Sequence, residues 1–248
     1  MSDKSLLMAV LMIIASVAGR AEGALIPGTL LNFNAGLYTC TNPSATYPNC
    51  GTQGYYVSSG SYFGLDGDGN GIVTTDASES EAIAPGPDGG ILIGATQDTN
   101  GHVSHAGAAH PGTGGLDAEW DYYGYTGMHF TTASVVVVND YGATKELDFS
   151  GWAVTWNGVT TPLGNAGLAT ITCSSVSCSA GSAFVLDYST FIPPTAPGAF
   201  SNILYTVHLE GCVASVEGCV VPLPAAVWLL GSGLIGLMGL ARRKLQVA

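Results

Sequence analysis

Apolar and polar positions alternate along much of the middle of the chain. Phe184, Leu186 and Tyr188 fall on one face of an extended segment, as do Ile203, Tyr205, Val207 and Leu209. A period of two predicts half-buried strands over 183–188 and 202–209. The same reading predicts strands over 55–63, 90–95, 128–138, 147–156 and 168–173. Within 147–156 the apolar phase switches from Leu147 and Phe149 to Trp152, Val154 and Trp156, and Ser150-Gly151 is where a bulge would absorb the switch. The unbroken run Val135 to Val138 predicts a strand covered on both faces. Strong helix formers are scarce, and Gly, Ser and Thr recur between these segments. The pattern therefore predicts an all-β chain, an antiparallel β-sandwich of jelly-roll type that forms one domain over 25–220.

The two ends depart from this pattern. Residues 1–24 carry Lys4 in a short polar start, an apolar run from Leu6 to Ala18 and small residues before Leu25, which predicts a secretory signal peptide that begins as a helix and is removed. At the other end, Ala225 to Ala241 is apolar or small throughout and is closed by Arg242, Arg243 and Lys244. As a helix it spans roughly 25 Å, enough to cross a thin bilayer. The basic triplet places its C-terminal end in the cytoplasm and the domain outside. Pro222 and Pro224 keep the peptide before it extended and open to an enzyme at the membrane surface.

The order of a proline motif, Val221-Pro222-Leu223-Pro224-Ala225, then a membrane helix, then Arg242, Arg243 and Lys244 resembles the PEP-CTERM sorting signal in its Val-Pro-Leu-Pro-Ala variant. The resemblance covers 221–248 and departs from the commoner motif in having Leu223 between the prolines instead of glutamate. It implies that an exosortase of a Gram-negative bacterium recognises the tail at the inner membrane and removes it, delivering the cargo to the cell surface or extracellular matrix. The segment Gly124 to Gly211, with TGMHF, LDFSGWAVTWNG, TCSSVSC, FVLDY and LYTVHLEG in order, also resembles a recurrent cargo architecture of that group, for which no activity is implied.

Export changes the charge. The whole chain has a formal charge of −12, but of its six Lys and Arg only Lys145 lies between 25 and 220, against sixteen acidic residues there. Such a surface repels nucleic acid and anionic lipid and favours divalent cations. All six cysteines, at 40, 50, 173, 178, 212 and 219, lie in the same segment. An even set in an exported protein predicts disulfides, and of the fifteen pairings that six cysteines allow, spacing favours Cys40–Cys50, Cys173–Cys178 and Cys212–Cys219. A zinc site built on Cys173-x4-Cys178 is the alternative, although the usual Cys-x2-Cys spacing is missing.

DGDGNG at 66–71 is the motif closest to chemistry. Asp66, Asp68 and Asn70 occupy the first, third and fifth places of an oxygen-ligand loop, and Gly71 permits the sharp turn, so the stretch resembles the first half of an EF-hand or dockerin-type calcium loop. The twelfth place, where a bidentate carboxylate is expected, is Ala77; Asp76 falls one place early and Glu79 two places late. A plain acidic hairpin turn, and a capping box running from Asp76 to Glu79, are the competing readings.

Other clusters offer weaker chemistry. His102, His105 and His110, with Asp117, Glu119 and Asp121 downstream, could bind a transition metal, but match no established spacing. His129 and His208 fall in predicted strands as isolated histidines. No Gly-x-Ser-x-Gly elbow is present, and the carboxylate pairs Asp117/Glu119 and Glu79/Glu81 would serve a hydrolase only at a suitable separation. Tyr122, Tyr123 and Tyr125 could stack on a sugar. The expectation is thus an exported structural or adhesive protein without catalysis, with an exopolysaccharide-binding module as the alternative and a metal-dependent hydrolase third.

Overall fold

The computed structural model describes residues 25–86, 89–97, 116–196 and 200–214. The predicted signal peptide, the sorting tail from Val221 to Lys244, Cys219, and the histidines at 102, 105 and 110 lie outside the described residues. Among those described, no helix is long and apolar enough to cross a membrane.

The described chain is all-β and its strand pairs are antiparallel. In chain order the strands are β1 (Leu30–Phe33), β2 (Leu37–Cys40), β3 (Tyr55–Ser59), β4 (Tyr62–Leu65), β5 (Ser80–Ala82), β6 (Gly90–Leu92), β7 (Trp120–Tyr122), β8 (Tyr125–Thr131), β9 (Val137–Tyr141), β10 (Thr144–Asp148), β11 (Trp152–Trp156), β12 (Val159–Pro162), β13 (Leu168–Cys173), β14 (Ala183–Phe191) and β15 (Leu204–Ala214). The larger sheet runs β5-β4-β15-β14-β13-β10-β9, with β1 pairing both β15 and β6. A four-stranded sheet runs β12-β11-β8-β7, and β2 pairs β3 in a separate hairpin.

The spine of the larger sheet is β15. Its register with β14 runs unbroken from Leu204–Phe191 to Cys212–Ala183. On its other side it pairs first with β4, over Tyr205 to His208, and then with β1, over Gly211 to Ala214. Strict alternation makes this possible: Phe184, Leu186, Tyr188, Tyr205, Val207 and Leu209 are all buried. They share one core with Trp120, Trp152 and Val154 of the smaller sheet, so the two sheets close on each other.

Four strand expectations are corrected. The segment 128–138 is divided between β8, which ends at Thr131 in the smaller sheet, and β9, which begins at Val137 in the larger. The segment 55–63 is divided between β3 and β4 at Gly60, whose φ of +77° turns the chain. A Cβ there would come within 2.2 Å of the Ala35 carbonyl oxygen. The phase switch in 147–156 is a change of sheet instead of a bulge: β10 ends at Asp148 in the larger sheet and β11 begins at Trp152 in the smaller. Gly151 makes the corner, where any Cβ would meet the Ala133 backbone nitrogen at 2.4 Å. Finally, the valine run is covered on one side only. Val135 is buried, whereas Val136 and Val138 are exposed, because they alternate onto a face that no second layer covers.

Cys40–Cys50 and Cys173–Cys178 are both bonded, as their spacing predicts. Loops this short contribute about 2–3 kcal/mol each. Cys212 is also disulfide-bonded, with its partner outside the described residues. With Cys173 and Cys178 bonded to each other, the zinc alternative falls. Lys145 on β10 is 1 % exposed; its Nζ donates to Asp140 Oδ1 at 2.6 Å and to the Gly142 carbonyl at 2.8 Å, tying down the β9–β10 turn. That hydrogen bond holds the Asp140 carboxyl below its usual range.

Candidate functional site

The acidic loop after β4 folds back on the turn that leads into β5. Asp66 continues from β4, its N–H donating to the Leu204 carbonyl, and so starts from a fixed point. Its carboxylate then accepts the backbone N–H groups of Asn70 at 3.0 Å and Gly71 at 2.8 Å, which coils the loop around it. Gly69 and Gly71, at φ of +73° and +84°, supply the left-handed turns that this needs.

This folding gathers a different set of oxygens from the one read from the sequence. Carboxylate oxygens of Asp66, Asp68 and Glu79 lie within 4.8 Å of one another. Asn70 instead braces the loop: its Nδ2 donates to Asp68 Oδ2 at 2.9 Å and its Oδ1 accepts from Ile72 N at 2.8 Å. Residues 77–79 form a turn and not a helix, with the Glu79 and Ser80 N–H groups both donating to the Asp76 carbonyl. That turn swings Glu79 inward, where Thr74 donates to its Oε2 from N at 2.8 Å and from Oγ1 at 2.6 Å. The twelfth-place gap at Ala77 is thus filled by a residue two places later.

Asp66 and Glu79 are buried while Asp68 is exposed, so the cluster has a closed floor and an open side. Tyr123 hangs over it and donates to the Ser78 carbonyl at 2.5 Å. Three oxygen donors of this kind suit a hard divalent cation, calcium above all, with water completing its shell. Lys145, the only lysine or arginine among the described residues, is engaged at the β9–β10 turn.

The other predicted groups go elsewhere. Asp117 and His129 are fully buried: Asp117 Oδ2 is 2.8 Å from His129 Nδ1, and Asp117 Oδ1 accepts the His129 N–H at 2.9 Å. His129 Nε2 is 2.8 Å from the Tyr205 hydroxyl, which accepts the Trp152 Nε1–H at 3.1 Å. One proton direction satisfies this chain: Nδ1–H to the carboxylate, and Tyr205 O–H to Nε2. Trp120 Nε1 also lies 3.3 Å from Nδ1, but the 2.8 Å carboxylate contact is the shorter and decides the tautomer. The network joins the two sheets through their core, and Asp117 of the carboxylate pair with Glu119 is enclosed within it. Tyr122 is also buried, so only Tyr123 and Tyr125 of the expected sugar platform face outward.

Glu81, next to this region on β5, accepts a short hydrogen bond from Tyr38, whose hydroxyl also accepts the Ala82 N–H. Burial, reinforced by the charge of Asp121 and opposed by the Tyr38 hydrogen bond, raises its pKa from 4.5 to about 7. A pKa raised on folding favours the folded state below about pH 4.5, and that contribution is lost as pH rises through about 7. Glu81→Gln, which keeps an oxygen for Tyr38, is therefore expected to melt at a higher temperature than the unaltered protein at pH 8, with little difference at pH 4.5. Parallel melting curves across that range would contradict the assignment. A residual slope belongs to His208, which is raised by its hydrogen bond to Asp187 and, more weakly, by Glu210, against the effect of burial. Its stabilisation is likewise lost as pH rises through its raised pKa, so it acts in the same direction.

The chain matches no known protein family, no curated protein and no solved structure.

Proposed function

We propose that this chain is an exported β-sandwich protein of the bacterial cell surface or extracellular matrix. Its role is structural or adhesive, and its C-terminal segment 221–248 is the address that an exosortase reads and removes. The observation that carries this reading is the pair of local disulfides, Cys40–Cys50 and Cys173–Cys178, in an acidic all-β domain. Such bonds form and persist in oxidising compartments outside the cytoplasm. We further propose that Asp66, Asp68 and Glu79 hold a calcium ion, which pins the 66–79 loop and relieves the repulsion of an acidic surface.

Intact-mass spectrometry of the native protein from the surface fraction, with and without reduction, tests the reading. The expected product starts near Leu25, ends near Pro224 and gains about six mass units on reduction, two hydrogens for each bridge. A product that reaches Ala248, or that gains no mass on reduction, would overturn it.

A further inference from the structure

A cavity of about 250 Å³ lies between the two sheets beside the β11–β12 turn. The rings of Phe63, Trp120, Tyr125, Trp156, Phe200 and Tyr205 line it, mostly aliphatic side chains complete the wall together with Asn157 and Thr161 at its β11–β12 end, and no charged side chain among the described residues reaches it. Trp156 packs against Phe200 with ring centres 4.5 Å apart and meets Trp120 edge-on at 6.2 Å. Its indole Nε1–H is buried and has no hydrogen-bond partner among the described residues. Of the other polar groups in the wall, the Tyr205 hydroxyl is committed to His129 and Trp152.

We propose that this cavity is a binding site for a small neutral aromatic molecule that carries one hydrogen-bond acceptor, and that Trp156 Nε1–H donates to it. Three observations set the ligand class. The volume exceeds the roughly 150 Å³ that admits a benzene, so it accommodates about one or two rings. The ring-lined wall favours edge-to-face and offset stacking on a flat apolar guest. The unpartnered donor in Trp156 costs about 1–3 kcal/mol while it stays unsatisfied, and an acceptor on the guest recovers that. A sugar fits poorly, because each hydroxyl buried against these rings without a partner incurs a similar cost. The site is separate from the acidic loop and does not rest on the proposed export route.

Titration of the full-length, 15N-labelled protein with acetophenone, ethylbenzene and methyl α-glucoside tests the proposal through the Trp156 indole N–H resonance. Acetophenone is expected to shift that resonance saturably. Ethylbenzene, similar in shape but lacking the acceptor, is expected to bind about ten-fold more weakly, the worth of one hydrogen bond. The glucoside is expected to leave the resonance in place. Trp156→Phe should bring the two aromatic affinities together, read from their own signals by saturation transfer; should this variant not fold, the ratio on the unaltered protein still decides. Equal affinities on the unaltered protein, no saturable shift, or preferential binding of the glucoside would each overturn the proposal.

Discussion

Replacing His129 by phenylalanine is expected to destabilise the domain by about 3 kcal/mol or more, the cost of leaving a buried carboxylate oxygen and a buried hydroxyl without their partner. Phenylalanine fits between Trp152 and Phe63, whose rings lie 5.3 Å and 5.2 Å from the imidazole, so shape is roughly kept and the loss is electrostatic. Asp117 Oδ2 would lose its partner in a site with no water access, and the Tyr205 hydroxyl would lose its acceptor. Urea unfolding checks the size, and a double variant checks the cause. Adding Asp117→Asn to the variant should recover part of the stability, because the stranded group is then neutral. No recovery in the double variant would assign the effect to packing instead.

Calcium is expected to give the second large effect. An ion that binds only the folded state raises stability by about 2.7 kcal/mol at one hundred times its dissociation constant. Thermal melts in millimolar calcium should therefore exceed those in a chelator, and magnesium should substitute poorly because it demands six oxygens at short, regular distances. Glu79→Gln separates this site from general screening of an acidic surface. It keeps an oxygen for the Thr74 contacts but removes the charge that closes the set with Asp66 and Asp68. The variant is expected to lose most of the calcium response, whereas a control outside the loop such as Asp148→Asn, on β10, retains it. Identical melts with calcium and chelator would sink the assignment.

What could be read from the sequence depended on how local the cause was. The faces of β14 and β15 were legible because alternation runs through seven residues without interruption, from Ile203 to Leu209 in the second case. The Cys40–Cys50 and Cys173–Cys178 bridges were legible because loops of ten and five residues bring the ends together at small entropic cost. By contrast, β1 and β7 are short and nearly without pattern, and what makes them strands is the neighbour each finds. The valine run misled because hydrophobicity reports a preference for burial and says nothing about which faces of a strand another layer covers. The acidic cluster was half visible: spacing pointed to Asp66 and Asp68, but Glu79 joins them only through a turn whose shape the one-dimensional count does not contain. The Asp117–His129–Tyr205 chain was invisible, since its members are 12 and 76 positions apart and nothing local links them.

The burial of Lys145 bears on how the protein withstands proteases. A protease that cuts after lysine or arginine finds a single such bond between residues 25 and 220. That bond lies within β10, hydrogen-bonded to β13 on one side and β9 on the other, so it cannot extend into a protease cleft without pulling the strand from its sheet. Digestion by such enzymes would remove the terminal segments and leave the domain whole.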